Sequence, residues 1–134
     1  MTDALSIALS GLRAQTTRLA ATASNIANAS TAGTVPSADP SAPASTVYTP
    51  VTVDLSSQAG GGVSAQVRPD LNAYSVIYDP SSVHANAEGL VAVPDVDLAE
   101  QLVNLIETKA LFKANVSVIK TQDEMLGDLL DTIA

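Results

Sequence analysis

The chain has 134 residues, enough for one modest domain or a slim, elongated fold. Its hydrophobic share of 46% comes mostly from Ala, Val, Leu and Ile. The aromatic residues are Phe112, Tyr48, Tyr74 and Tyr78, which suits slender helix packing better than a thick globular core. A net charge of −8 argues against nucleic acid or an anionic membrane surface as partner, and the absence of Cys rules out disulfides and thiolate metal sites.

The first thirty residues carry Asp3 against Arg13 and Arg18. Asp3 stands where a signal peptide would be basic, and Ser6, Ser10 and Arg13 interrupt the apolar run, so no cleaved signal peptide is expected, and a chain acting outside the cytoplasm would leave by a route that does not cleave this end. No stretch approaches the roughly 20 apolar residues that span a bilayer. Leu5, Leu9, Leu12, Thr16, Leu19, Ala23 and Ile26 alternate in fours and threes, which predicts a helix about 35–40 Å long. Thr2 or Asp3 can cap its start, and it should end near Asn25–Asn28. Ala8, Ala20 and Ala27 would allow another backbone to approach closely.

Residues 29–45 hold Pro36, Pro40 and Pro43 among small polar residues, which predicts an exposed loop, disordered until a partner holds it. From Thr46 the period becomes two. Val47, Thr49, Val51, Val53 and Leu55 predict one strand, with Pro50 favouring an edge. Gly60, Gly61 and Gly62 make a turn before a second run of Val63, Ala65 and Val67, and 73–78 is a third strand candidate. Residues 79–95 read as a turn-rich connection.

The last helix is announced by Pro94, by Asp97 as cap and by Glu100 in the capping-box position. Leu98, Leu102, Leu105, Lys109, Phe112, Val116, Ile119, Asp123, Leu126, Leu130 and Ile133 then run in fours and threes over about 55 Å. Val103, Ile106, Ala110 and Leu129 widen the stripe in places. An apolar face must be buried. The longer helix carries more of it than the shorter one can cover, so a further helix from another subunit is expected.

Ser10–Gly11–Leu12, Arg18–Leu19 and Ser24–Asn25–Ile26–Ala27–Asn28–Ala29 resemble the N-terminal signature of flagellar rod, hook and hook-associated axial proteins. The residues 76–80 (VIYDP), 85–91 (ANAEGLV), 94–97 (PDVD) and 113–116 (KANV) are similar to those of the FlgC family of proximal-rod proteins. The resemblance covers about residues 4–33 and 74–130. It implies a structural subunit exported unfolded by the flagellar type III system and assembled in the periplasm. Its partners would be copies of itself, other rod proteins, and surrounding ring or export-gate components. The terminal helices would pair into the inner wall of a tube while the middle segment faces neighbours.

Other chemistry finds little support. His84 lies near Asp79, Ser81 and Ser82 in one turn, where a hydrolytic triad cannot assemble on its own. Glu88, Asp95 and Asp97 lack calcium-loop spacing, and the three glycines have no following Lys–Ser/Thr for a phosphate loop. No catalytic residue, cofactor or metal is expected.

The expected fold is mainly α: an elongated pair of long terminal helices with a small β-rich insert. It divides into an N-terminal rod helix (1–33), a loop and β insert (34–73), a connection (74–97) and a C-terminal rod helix (98–134). Leu5, Leu9, Leu12, Leu19 and Ile26 are expected to pack on the C-terminal seam. The expected assembly interface comprises those five with Asn25, Asn28, Leu98, Leu102, Leu105, Phe112, Asn115, Val116, Ile119, Leu126 and Leu130. Asn25 and Asn28 are either ordinary helix-end residues or bond the following loop or a neighbour. Lys109 and Asp123 either sit at the edge of the seam or pair with a charge on the next subunit. The competing function is a coiled-coil adaptor or secretion chaperone that binds a partner helix.

Overall fold

The structure, a computed structural model, describes residues 2–37, 44–71 and 73–133. Helix α1 runs Thr2–Asn28 and α2 Leu98–Ile133, and between them lie β1 (Val51–Ser57), β2 (Val63–Pro69), β3 (Tyr74–Tyr78) and β4 (Leu90–Pro94). The expected class is therefore the observed one: two long terminal helices flanking two small antiparallel sheets.

In α1 the hydroxyls of Ser6, Ser10, Thr16 and Thr17 each donate to a carbonyl one turn back, so these four are satisfied within the helix. Thr2 and Asp3 already belong to its first turn, and the position before them lies outside the described residues. Helix α2 starts as expected: Asp97 Oδ1 accepts the N–H of Ala99 at 2.8 Å and of Glu100 at 3.2 Å. None of the described helices is long and apolar enough to cross a membrane.

The helices pair antiparallel. Gly11 lies against Asn115, Arg18 reaches Glu107 at 3.0 Å, and Asn25 reaches Gln101 at 3.2 Å. The face that pairs is not the expected one. Ala8, Gly11, Gln15, Thr22 and Asn25 are buried along it, whereas Leu5, Leu9 and Leu19 are exposed and Leu12 and Ile26 half-buried. Small residues explain the choice, because they bring the backbones close. A methyl group on Gly11 would come within 2.6 Å of Asn115 Oδ1. Of the alanines expected to allow close approach, Ala8 is buried while Ala20 and Ala27 are exposed. On α2, a stripe spaced by fours and threes drifts about 20° per heptad around a straight helix, so it cannot face one partner over the whole length.

Strands β1 and β2 form a hairpin from Val51↔Pro69 to Ser57↔Val63. It packs on a second side of α1, where Ser10 Oγ accepts the Val63 N–H at 3.1 Å. The diagonal pair Arg68–Asp54, 2.7 Å apart, ties its exposed face.

Residues 90–94, expected to be part of a turn-rich connection, are strand β4, paired with β3 from Tyr74↔Pro94 to Tyr78↔Leu90. Val91 and Ala92 there are fully buried. A five-residue apolar run shows no period by which to recognise a strand. The intervening turn is built by the motif residues themselves. Asn86 Oδ1 accepts the N–H groups of Glu88 and Leu90, and Gly89 adopts a left-handed φ of 75° against Tyr78 and Pro80. His84 sits half-buried in that turn.

The described part of the expected disordered loop is pinned. Gly33 exchanges backbone hydrogen bonds with Ala92, and Thr34 and Thr46 exchange N–H to hydroxyl bonds at 3.0 Å. Pro40 and Pro43 lie outside the described residues.

Candidate assembly interface

Helix α1 has three working sides. One meets α2 and another meets the β1–β2 hairpin. The third carries Leu5, Leu9, Leu12, Thr16 and Leu19 and meets no other element fully, with Leu9 43% exposed. Along it runs an open groove of about 780 Å³, floored by Leu9, Leu12, Thr16 and Ala20. Val51 and Val67 of the hairpin form one wall and Phe112 of α2 the other, with Arg13 at the rim. A second hollow of about 420 Å³ shares Phe112 and is lined by Leu19, Leu105, Lys109 and Lys113. Its walls are apolar and two ammonium groups stand beside it. Such a surface is suited to receive an amphipathic helix.

Of the α2 residues expected at the interface, Leu98, Leu102, Val116, Leu126 and Leu130 are exposed, Phe112 is 40% exposed, and Leu105, Asn115 and Ile119 are half-buried. Leu105 and Phe112 join Leu9, Leu12 and Leu19 around the two hollows. Leu98 and Leu102 line neither hollow. Asn115 instead packs on Gly11 within the chain, its Nδ2 donating to Leu111 O at 2.9 Å. Lys109 and Asp123 are both exposed. The side chain of Ile133 lies outside the described residues.

Asn25 and Asn28 divide between the two alternatives. Asn28 donates to Ser24 O one turn back, an ordinary helix-end bond. Asn25, 4% exposed, ties together three segments. Its Oδ1 accepts Val51 N–H at 2.9 Å and the Tyr48 hydroxyl at 3.0 Å. Its Nδ2 donates to Val51 O at 2.8 Å and Gln101 Oε1 at 3.2 Å. The wall of the groove is thereby fixed relative to its floor.

The helix–helix contact contains residues that sequence reasoning missed. Gln15 and Thr108 are 5% and 2% exposed, and Gln15 Oε1, Thr108 Oγ1 and Gln122 Nε2 find no hydrogen-bond partner among the described residues. Each such atom costs about 1–3 kcal/mol. The available signal was the spacing of Ala8, Gly11, Gln15, Thr22 and Asn25, a helical stripe of small and polar residues beside the leucine stripe.

Residues 5–33 match the family described as "Flagella basal body rod protein", and residues 87–132 match "Flagellar basal body rod FlgEFG protein C-terminal". The flagellar basal-body rod protein FlgC of Salmonella typhimurium is 35% identical over 122 residues, covering 90% of this chain and 88% of that protein. FlgC of Yersinia enterocolitica is 33% identical over 120 residues, covering 90% and 88%. FlgC of Agrobacterium fabrum is 30% identical over 139 positions, covering 99% and 95%. With matches at both helical ends and relatives aligned over nearly their whole length, the chain belongs to the FlgC family of flagellar basal-body rod proteins and is a structural subunit rather than an enzyme.

Proposed function

We propose that this subunit builds the proximal part of the rod by presenting the leucine side of α1, with Phe112 and Leu105 of α2, to helices of neighbouring subunits. The observation that carries this is the inversion of the expected packing. The small-residue face of α1 is used inside the chain, and the bulky leucines are left outside. An exposed contiguous apolar face marks an interaction surface. Interfaces that do not close on themselves propagate into a helical array, and many in parallel give a tube stiff enough to transmit torque.

Copies of this chain and other rod proteins are the partners on the helical side. The β hairpins and the 34–46 loop are left for surrounding ring or export-gate components. Passage to the periplasm through the flagellar type III route, unfolded and uncleaved, belongs to the same proposal.

The test is the double variant Leu9→Asp, Leu19→Asp. Both side chains are exposed in the isolated chain, so helicity by circular dichroism should stay near wild type. Basal bodies from cells carrying only this variant should lack a complete rod. Normal rods, imaged by electron microscopy, would remove the leucine face from the interface.

A further inference from the structure

Helix α2 is longer than its partner. The antiparallel register, Gly11 against Asn115 and Arg18 against Glu107, brings the start of α1 opposite residues just past 120. Gln122 is the last half-buried side chain, and every side chain from Asp123 to Thr132 is exposed. This end is amphipathic. Met125, Leu126 and Leu129 lie on one side at spacings of one, three and four, and Leu130, 69% exposed, extends it. Glu124, Asp128 and Asp131 lie on the other side at spacings of four and three. After Lys120 there is no basic residue, so the end carries four negative charges with Asp123.

The cations show a complementary arrangement. Of the six Lys and Arg residues, Arg18 pairs with Glu107, Arg68 with Asp54, and Lys120 with Glu124. Arg13, Lys109 and Lys113 form no ion pair among the described residues. All three stand at the rims of the two hollows that share Phe112. An apolar groove beside cations without an ion pair matches an apolar helix end whose Asp123, Asp128 and Asp131 form no ion pair among the described residues, and complementary charge of this kind fixes orientation and register.

We propose that the acidic end of α2, residues 123–132, seats in the groove of a second copy of this chain, joining subunits head to tail. The proposal rests on the rod-subunit reading above and names the occupant of its leucine face. Tail and groove are different surfaces of one molecule, so each bound copy leaves another groove or tail open and the series continues.

The natural chain contains no Cys, so an introduced pair reports contact without background. Ala20 lines the groove and Leu130 lies on the tail. Within one chain they are separated by roughly 36 Å along the helix pair, far beyond the roughly 7 Å a disulfide can bridge, so only neighbouring copies can be linked. Basal bodies are purified from cells whose only copy of this subunit carries Ala20→Cys and Leu130→Cys, and are then oxidised. The expected result is a ladder of linked subunits that neither single-cysteine variant gives. Adding Lys109→Glu and Lys113→Glu should cut the ladder about tenfold, and Asp128→Lys with Asp131→Lys should restore it.

Intact rods without a ladder would overturn the tail-to-groove pairing and leave the rod reading standing. Linked dimers without higher species would overturn the head-to-tail order. A ladder indifferent to both charge changes would overturn the electrostatic recognition. Absence of the chain from rods altogether would overturn the proposal together with the reading it rests on.

Discussion

Replacing Asn25 with Ala should free the β1–β2 hairpin from the helix pair. The carboxamide makes four hydrogen bonds from a position 4% exposed. Tyr48 and Gln101 are half-buried and can turn toward water, so their losses are small. The backbone of Val51 cannot turn. Its ladder partner is Pro69, which has no N–H to offer the Val51 carbonyl. Orphaning one N–H and one C=O at about 1–2 kcal/mol each, with a smaller contribution from the side chains, gives about 3 kcal/mol. Hydrogen exchange read by NMR on the full chain is the direct assay. Protection of the Val51 amide should fall by about a hundredfold, since 1.4 kcal/mol corresponds to a factor of ten. Asn25→Asp keeps the acceptor for Val51 N–H but sets an oxygen against Val51 O, so it should rescue only in part. A Val51 amide exchanging within threefold of wild type in Asn25→Ala would refute the reasoning.

Thr108→Val removes an orphaned hydroxyl at a site 2% exposed while nearly keeping its volume, so thermal denaturation should show a gain of about 1 kcal/mol. Gly89→Ala places a methyl group 2.9 Å from Tyr78 Cε2 at a positive φ, and should loosen the β3–β4 hairpin by about 1–3 kcal/mol, seen as faster exchange at Val91. Arg18→Gln breaks a pair whose Glu107 side is 55% exposed, so the loss in denaturant titration should stay below about 1 kcal/mol.

Much of this molecule is visible in local patterns. The periods of three and four, the Pro94 and Asp97 start signal, and the motif at 85–91 all act over a turn or two of chain, and the structure uses them at that range. Helix length is likewise a one-dimensional property, so the surplus of the last helix over the first could be read before any fold was known. Strand β4 was less accessible, because a short apolar run fits several environments and only its pairing with β3 and Gly33 makes it a strand.

The choice of face was decided in three dimensions. Counting apolar residues puts the leucines inside, yet helix pairing also depends on how near two backbones can come. Gly11 and Ala8 permit an approach that Leu9 and Leu19 would block. Asn25 gives the same lesson for polar groups: its partners at Val51 and Gln101 are 26 and 76 residues away. The sequence by itself determined which residues are apolar and which segments are helical. Only tertiary packing, through close backbone approach and long-range hydrogen bonds, decided which apolar face is left for another subunit.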